Sequence, residues 1–356
     1  MSCPLYTPDN VKFMLNSQWF LHSPWLVEAD NKATIVPYIL KGSTATTMTA
    51  MKKNSTLLLC FLLFSSTQAQ KVELGLNLLE GEKYTQVSES KISINQVMNG
   101  QNLDIDMAVK GSISYLVRSV NEANYELEMM YESLSMKIEH PQGTMEFDSE
   151  KRDENDVLST VLSWITGKPI TVILTKKGSV SEVREMDTIW ASVFDHFTKV
   201  PETQLNQVKS QIKEAYGEEA LKANIEMVTA IFPDHKVEVG DKWTVHTTME
   251  SGMTVNVTTT YKLEEIHAEY YMIKGDSKLQ TADKEAIVDA NGMSMKYDLS
   301  GQITSKIKIN KQSGWIIRAD HNQDIKGEAH IQASPVMPVG MIIPMTMKNE
   351  TVITNN

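Results

Sequence analysis

Cysteine is almost absent from this chain of 356 residues: its two cysteines, Cys3 and Cys60, both precede residue 70. The part from Gln70 onward therefore has no disulfide and no thiol chemistry. Recognisable enzyme motifs are absent as well, because the sequence holds neither a G-x-S-x-G nucleophile elbow nor an H-E-x-x-H zinc helix. We predict a protein that is not an enzyme, with no catalytic residue, no metal site and no cofactor. A hydrolase assembled from distant strands is the least favoured alternative.

Metal-ligand patterns are also lacking. The histidines after residue 70 are scattered, and the loose pair His321 and Asp324 is interpreted as a surface turn. Asp104 and Asp106 share a strand face opposite the apolar residues, which favours ordinary solvation. The acidic stretch 148–156 lacks the alternating ligands and the turn glycine of a calcium loop.

Positive charge is in deficit, with 34 basic residues against 45 acidic ones and a net charge of −11. Five of the basic and three of the acidic residues precede Gln70, so the rest of the chain carries 29 against 42, a net charge of −13. Nucleic acid is therefore not an expected partner. An acidic surface favours solubility and indicates no substrate.

Long hydrophobic runs are missing too, since the apolar run Leu57–Phe64 is shorter than the roughly 20 residues that a membrane helix needs. Lys52 and Lys53 precede this run, and small or polar residues follow it as far as Ala69. This pattern predicts a secretory signal peptide over residues 51–69. We expect export to the periplasm, the cell surface or the extracellular space.

The position of this signal bears on the start of the chain, because a signal peptide acts at an N-terminus. Residues 1–50 are therefore interpreted as a mis-assigned upstream extension, with Met51 as the expected start of translation and Met1 and Met48 as the alternatives. Attachment of a lipid at Cys60 is disfavoured, since Leu59 precedes it inside the apolar run.

Residues 70–152 form a predicted N-terminal β half, because apolar and polar residues alternate with a period of two. The stretches 72–78, 103–117 and 125–138 all show this alternation, and a change of phase in the last one predicts a β-bulge near Glu132.

The period becomes helical over residues 153–233, which predicts a helical insert. Its apolar stripes predict four helices, interrupted by two short strands at 170–175 and 179–184. The stripes are Val157, Leu158, Val161, Leu162 and Ile165; Ile189, Trp190, Val193, Phe194 and Phe197; Leu205, Val208 and Ile212 after Pro201; and Leu221, Ile225, Val228 and Phe232 before Pro233.

Residues 234–356 form a predicted C-terminal β half, in which one strand keeps a single phase for 17 residues from Met293 to Ile309. A turn at 310–314 then makes a hairpin with the next strand. Strands this long would twist, so a flat sheet is disfavoured. The predicted fold is α+β and mainly antiparallel β, with a large curved sheet, a half-barrel or barrel of long strands, and a helical insert.

A faint internal repeat links the two halves. Residues 81–85, Gly-Glu-Lys-Tyr-Thr, are echoed 159 residues later by residues 240–244, Gly-Asp-Lys-Trp-Thr. Tyr115, Val120 and Tyr125 are likewise echoed by Tyr261, Ile266 and Tyr270. Two related β halves would explain these echoes, and chance similarity between alternating strands is the alternative.

Methionine is unusually frequent, with 21 residues of which 17 follow residue 70. Plain core packing, a deformable lining for an acyl chain, and a Cu(I) site are the three interpretations, in decreasing order of preference. The apolar segment Pro335–Met345 is predicted to be a loop that forms a contact surface or a lid. The candidate ligand-binding residues are Met293, Met295, Tyr297, Trp315, Met337, Met341, Met345 and Met347.

Three short motifs together resemble an uncharacterised family of exported, β-rich proteins of Bacteroidetes-type bacteria, a domain of unknown function. They are Thr-Gln-Ala-Gln at 67–70, Gly-Asp-Lys-Trp at 240–243 and Ser-Gly-Trp-Ile at 313–316. The resemblance covers most of the chain after Gln70 and implies export and fold class, without functional residues. In outline, a curved sheet with helices on its concave side is also similar to periplasmic lipoprotein carriers.

The leading hypothesis is an uncharacterised envelope protein that holds a hydrophobic ligand, such as a lipid, between the curved sheet and the helical insert. The alternative is a structural or protein-interaction module of the envelope, with another envelope protein as partner.

Overall fold

A computed structural model describes residues 71–98, 100–151, 157–194, 217–251, 253–290, 293–334 and 338–355. These residues form thirteen strands and three helices, and the helices all lie between the fourth and the seventh strand. The strands are β1 (Lys83–Met98), β2 (Gln101–Val120), β3 (Asn124–His140), β4 (Gly143–Asp148), β5 (Ile170–Thr175), β6 (Val180–Arg184), β7 (Lys242–Ser251), β8 (Met253–Ile266), β9 (Tyr270–Thr281), β10 (Val288–Ala290), β11 (Met293–Asn310), β12 (Ile316–Ile331) and β13 (Met341–Thr354). The helices are α1 (Val157–Ile165), α2 (Met186–Phe194) and α3 (Glu218–Thr229).

All strand pairs are antiparallel and form one curved sheet in the order β6-β5-β3-β2-β1-β13-β12-β11-β9-β8-β7. β4 pairs with β3, and β10 pairs with β11. Within the described ranges no ladder joins the edge strands β6 and β7, so the sheet is open. The prediction of a large curved antiparallel sheet with a helical insert is confirmed.

The long strands follow from uninterrupted alternation in the sequence. β2 has 20 residues and β11 has 18, and along β11 the buried side chains recur at every second or fourth position. The phase change in β3 is also explained, because Ser112 pairs with Ser133 while Ile113 pairs with Tyr131, which leaves Glu132 as the extra residue of a β-bulge. The predicted bulge is confirmed at that residue.

Helix α3 spans the gap between the two edges of the sheet. The Glu226 carboxylate accepts a hydrogen bond of 2.7 Å from the Val180 backbone N–H on β6, and the Thr229 hydroxyl donates one of 2.6 Å to the Gly178 carbonyl. On the other side, the Trp243 indole N–H of β7 donates to the Ile231 carbonyl just after the helix, at 2.9 Å. The helix thus connects β6 to β7, which do not pair directly.

The other helical predictions have mixed outcomes. Val161, Leu162 and Ile165 of the first stripe are buried on α1, and the second stripe is buried on α2 as far as Phe194. The third predicted helix, from Pro201 to Ile212, and Phe197 lie outside the described residues. Both short strands form as predicted, β5 and β6.

One end of the sheet is crossed by an extended segment, residues 71–82, which we call the strap. Its backbone N–H groups donate to carbonyls of the turns that end other strands: Leu76 to Lys176 at 3.0 Å and Asn77 to Ser313 at 2.8 Å. The buried Tyr125 hydroxyl donates to the Leu76 carbonyl at 2.8 Å. We call this the strap end of the sheet, and the opposite end the methionine end.

The internal repeat predicted from the sequence has a structural counterpart. Gly81 donates to the Val117 carbonyl at 2.9 Å and Gly240 to the Leu263 carbonyl at 2.8 Å, each glycine having a positive φ. Tyr84 pairs with Tyr115 just as Trp243 pairs with Tyr261. A register shift then follows Val117 in one half and Leu263 in the other.

One residue of the predicted repeat differs. Val120 pairs with Tyr125, and the equivalent Ile266 pairs with Tyr271, so the counterpart of Tyr125 is Tyr271 and not Tyr270. The two turns have the same length, residues 121–123 and residues 267–269, so the constant spacing of five residues selects Tyr271.

The predicted loop over Pro335–Met345 is wrong in its second half, because β13 begins at Met341. Pro344 suggested a loop since it has no backbone N–H to donate. It pairs with Glu328 of β12, whereas the ladder between β13 and β1 begins at Met345. At Pro344 one side of β13 is therefore an edge, where proline is tolerated.

Candidate functional site

Methionines concentrate on the inner face of the sheet at the methionine end. Five of them lie partly buried where strands begin or end, and we call this set the methionine rim: Met98, Met249, Met253, Met293 and Met341. Deeper in the sheet, Met295 and Met345 are 6% exposed and Met347 is 1% exposed. These residues come from β1, β7, β8, β11 and β13, so the sheet gathers them from distant parts of the chain.

Most of the candidate residues predicted from the sequence lie in this region. Met295 pairs with Ile331, which in turn pairs with Met341, so the two methionines flank one residue of β12. The Tyr297 hydroxyl lies 3.6 Å from the Met295 sulfur. Met293 precedes them on the same strand face. Met337 lies outside the described residues.

Trp315 does not belong with the methionines. It follows the β11–β12 turn at the strap end, where its ring centroid lies 5.1 Å from that of Tyr84 and 5.2 Å from that of Tyr115. At about 3.4 Å per residue, the length of β11 separates it from Met295 by roughly 45 Å. The structure therefore assigns Trp315 to an aromatic cluster under the strap and away from the other candidates.

A band of buried polar residues crosses the inner face near its middle, and the sequence analysis missed it. Its members are at most 8% exposed: Thr259, Ser277, Ser305, His321, Gln323, Asn349 and Thr351. The interpretation of His321 and Asp324 as a surface turn is wrong, since both lie on β12, where His321 faces inward and Asp324 faces outward. The detectable signal was a polar residue in the phase of the buried ones, such as Ser305 between Ile303 and Ile307.

Gln323 and Asn349 are partners across the β12–β13 ladder, and each is 1% exposed. The Asn349 side-chain carbonyl accepts a hydrogen bond of 3.3 Å from the Thr351 hydroxyl. Within the described part of the chain, the Gln323 Nε2 and Oε1 atoms and the Asn349 Nδ2 atom have no hydrogen-bond partner. We call these two residues the amide pair.

A small cavity lies beside α3, against this polar band. Its volume is about 30 Å³, and its lining includes Glu226, Thr259, Tyr261, Ser305 and His321. That volume suits one or two water molecules. Burial lowers the pKa of His321 to about 4, although the charge of Asp320 opposes this shift, so the imidazole is neutral near pH 7. Burial raises the pKa of Tyr261, which keeps its hydroxyl protonated.

A wider depression of about 340 Å³ opens on the outer side of α3, between that helix and β7. Lys222, Glu226, His246 and Thr248 contribute to its lining, which is mainly polar. Such a lining suits water better than an apolar ligand.

Three exposed aliphatic side chains lie at the methionine end of the sheet. Val339 is 94% exposed in the β12–β13 connection, Ile342 is 56% exposed at the start of β13, and Ile287 is 63% exposed before β10. Val339 and Ile342 lie in the apolar segment predicted from the sequence, beside the methionine rim, and its role as a contact surface or a lid stays a prediction.

No cluster of three or more potential metal ligands occurs among the described residues. Asp104 and Asp106 point to solvent, where Asn95 and Ser93 donate hydrogen bonds to them at 2.6 and 2.5 Å. The described helices include none with the length and apolar character required to cross a membrane.

The fold defines the class of protein: an open, strongly curved antiparallel sheet with an apolar inner face and a helical insert. The chain belongs to a family of unknown function, DUF6263, whose model matches residues 122–316. The resemblance to an uncharacterised family is confirmed to that extent. No curated protein matches the sequence.

Among solved structures, lipovitellin, described for its lipid–protein interactions, is similar with a TM-score of 0.43 and 8% identity over 79% of this chain. The matched region is 25% of that chain, so this protein spans a quarter of its length. An outer membrane channel from Pseudomonas putida F1 is similar with a TM-score of 0.24 and 8% identity, covering 79% of this chain and 97% of that one. Similarity this weak carries no inference about function.

Proposed function

We propose that this protein is a non-enzymatic carrier that holds an apolar ligand, such as an acyl chain, on the inner face of the sheet at the methionine end. The observation that carries the proposal is the methionine rim, five inward-facing and partly buried thioethers brought together from five strands. Flexible, polarizable methionine side chains adapt to irregular apolar partners.

The rim methionines pack against the core and are only partly buried, which distinguishes their position from that of the core itself. A core built for stability is best filled by Leu, Ile and Val, whose rotamers are well defined. Leu127, Leu263 and Ile273, at 0% exposure, follow that rule near the strap end, where Met129 is a buried methionine as well. Methionine instead dominates where the inner face meets solvent, which is where a ligand would enter.

The ligand must displace side chains in order to bind deeply. The cavity of about 30 Å³ beside α3 is too small for an acyl chain, and Met345 and Met347 are already buried. Methionine has three rotatable bonds and changes rotamer readily. We therefore place the first contact at Met293 and Met341 on the rim, and the deeper contacts at Met295 and Met345 once the rim has rearranged.

Export is part of the proposal, because residues 51–69 have the pattern of a signal peptide. We place the mature protein in the periplasm, at the cell surface or in the extracellular space of a bacterium. N-terminal sequencing of the protein recovered from a periplasmic fraction should find Gln70 as the first residue. If Gln70 has cyclised, the N-terminus is blocked to sequencing, and the mass of the N-terminal peptide should identify it.

Mass spectrometry of an organic extract tests the carrier function. The protein is purified without detergent from a bacterial periplasm, and a stoichiometric apolar molecule is expected in the extract. Met295→Asp and Met345→Asp should lose it while circular dichroism shows folded protein, whereas Met272→Asp, on the outer face of β9, should keep it. If the buried aspartates unfold the protein, Met293→Ser and Met341→Ser at the rim replace them. A clean extract from folded wild-type protein would contradict the proposal.

A protein-interaction module is the second candidate, favoured by the exposure of Val339 and Ile342. Pull-down from an envelope extract with wild-type protein and with Val339→Ser/Ile342→Ser would test it. Loss of one defined envelope partner in the variant, together with an empty organic extract, would favour docking.

A further inference from the structure

We propose that the ligand has an uncharged, hydrogen-bonding head group that binds the amide pair Gln323 and Asn349, with its apolar chain directed toward the methionine rim. This inference rests on the proposed carrier function and specifies the chemical class of the ligand and its direction in the site.

The amide pair provides the hydrogen-bonding groups. Gln323 and Asn349 are 1% exposed, face each other across β12 and β13, and together present two amide N–H₂ groups and one amide oxygen without a partner in the described chain. A buried polar group without a hydrogen bond costs about 1–3 kcal/mol, and native proteins keep few of them. A ligand with both an acceptor and a donor would satisfy these groups.

The surroundings of the amide pair set the direction of the ligand. On β13 the inward positions that follow Asn349 toward the methionine end are Met347, Met345, Ile343 and Met341, which are all apolar. In the opposite direction the neighbours are polar, namely Thr351, His321 and Ser305. A polar head at the amide pair thus leaves the chain a continuous apolar path in one direction.

The length of this path suits an acyl chain. Asn349 and Met341 are eight residues apart on β13, which corresponds to roughly 27 Å. An acyl chain spans half of a bilayer whose hydrocarbon core is about 30 Å thick, so roughly 15 Å. The chain would extend from the amide pair past Met345 and toward the rim.

The head group should be uncharged. The side chains around the amide pair on the inner face are hydroxyls, aliphatic groups and His321, while the charged neighbours on β12 and β13, Asp324, Lys348 and Glu350, point outward. Glu226, at the cavity beside α3, already accepts the Val180 N–H. An ionised head would be buried without a counter-ion, which is strongly unfavourable. An amide, an alcohol or a protonated acid fits.

The test compares two probes that share a chain and differ in the head: tritiated hexadecanamide and tritiated hexadecane, presented from methyl-β-cyclodextrin and corrected for its affinity for each probe. The variant Gln323→Leu/Asn349→Leu removes the amides with little change in volume. The control Gln302→Leu/Asn322→Leu removes one amide of each kind from the adjacent outward positions of β11 and β12. If the double variant fails to fold, Gln323→Met alone replaces it.

Wild-type protein and the control should bind hexadecanamide about tenfold more tightly than hexadecane, the ratio given by one recovered hydrogen bond. The amide-pair variant should bind both probes equally. A preference that persists in this variant, or palmitate at pH 8 binding more tightly than hexadecanamide, would overturn the head-group site and leave the carrier function intact. Failure of wild-type protein to bind either probe would overturn the carrier function itself.

Discussion

The Glu226 carboxylate accepts a hydrogen bond from the Val180 backbone N–H at 2.7 Å, which attaches α3 to the edge strand β6. Trp243 attaches the end of the same helical region to the other edge strand, β7, through the Ile231 carbonyl. Unpaired edges invite association with other chains, and covering them with a helix is a common remedy. Glu226 is therefore expected to hold the open sheet in its curved form.

Replacement of Glu226 by alanine should lower the free energy of unfolding by about 1.5–3 kcal/mol, because the buried Val180 N–H loses a charged acceptor. Glu226→Gln keeps an acceptor oxygen and should lose less. Urea denaturation measures both variants, with Glu219→Ala, an exposed position on the same helix, as control. Equal losses for Glu226→Ala and Glu219→Ala would show that the contact with β6 does not stabilise the fold.

Tyr125→Phe should release the strap. The Tyr125 hydroxyl donates to the Leu76 carbonyl at 2.8 Å and accepts from the Leu78 N–H at 3.2 Å, and the residue is 1% exposed. Its removal leaves two buried backbone groups unpaired, which should cost about 1–3 kcal/mol. Limited proteolysis should then cut faster within residues 71–82.

The matched control for this variant is Tyr270→Phe, which removes a hydroxyl from the first residue of β9, whose ring stacks on His267. It should leave the rate of cleavage within residues 71–82 unchanged. Unchanged proteolysis in Tyr125→Phe would mean that the other strap contacts suffice.

His321 should make stability depend on pH. Burial lowers its folded-state pKa to about 4 from 6.5, so between these values the unfolded chain binds a proton that the folded protein does not. The stabilisation is complete above pH 6.5 and is lost as the pH falls toward 4. Relative to His321→Gln, the wild-type free energy of unfolding should fall by about 2 kcal/mol between pH 7 and pH 5, at 1.36 kcal/mol per unit.

Chemical denaturation at a series of pH values measures this difference. His246→Asn, an exposed histidine on β7, is the control and should retain the wild-type slope. Parallel curves for wild type and His321→Gln would contradict the assignment of this slope to His321.

The features of the fold that could be predicted are those that depend on the local alternation of apolar and polar residues. The long strand β11, its hairpin turn and the bulge at Glu132 all depend on residues close together in sequence, where a period of two and a change of phase are visible. The strand over Met341–Met345 was missed because Pro344 is unfavourable in a strand unless one side lacks a partner, which depends on where β1 ends.

The arrangement of the site depends on contacts that a single sequence does not reveal. Trp315 and the methionines share apolar character, yet the direction of β11 and β12 places Trp315 at the strap end. Gln323 and Asn349 are 26 positions apart, so only the register of the β12–β13 ladder shows that they are partners. That register depends on the length of the connection between the two strands.

The exposed residues at the methionine end should control entry of an apolar ligand. Val339→Asp/Ile342→Asp should reduce the rate of uptake of hexadecane from methyl-β-cyclodextrin by a factor of about ten or more, because loss of even one aliphatic contact worth about 1.4 kcal/mol lowers the rate tenfold. Leu79→Asp is the control, since Leu79 is 58% exposed at the strap end. All three positions are exposed, so the free energy of unfolding should change by less than about 0.5 kcal/mol. An equal reduction in Leu79→Asp would indicate that uptake responds to surface charge in general, whereas a reduction confined to Val339→Asp/Ile342→Asp locates entry at the rim, beside Met293 and Met341.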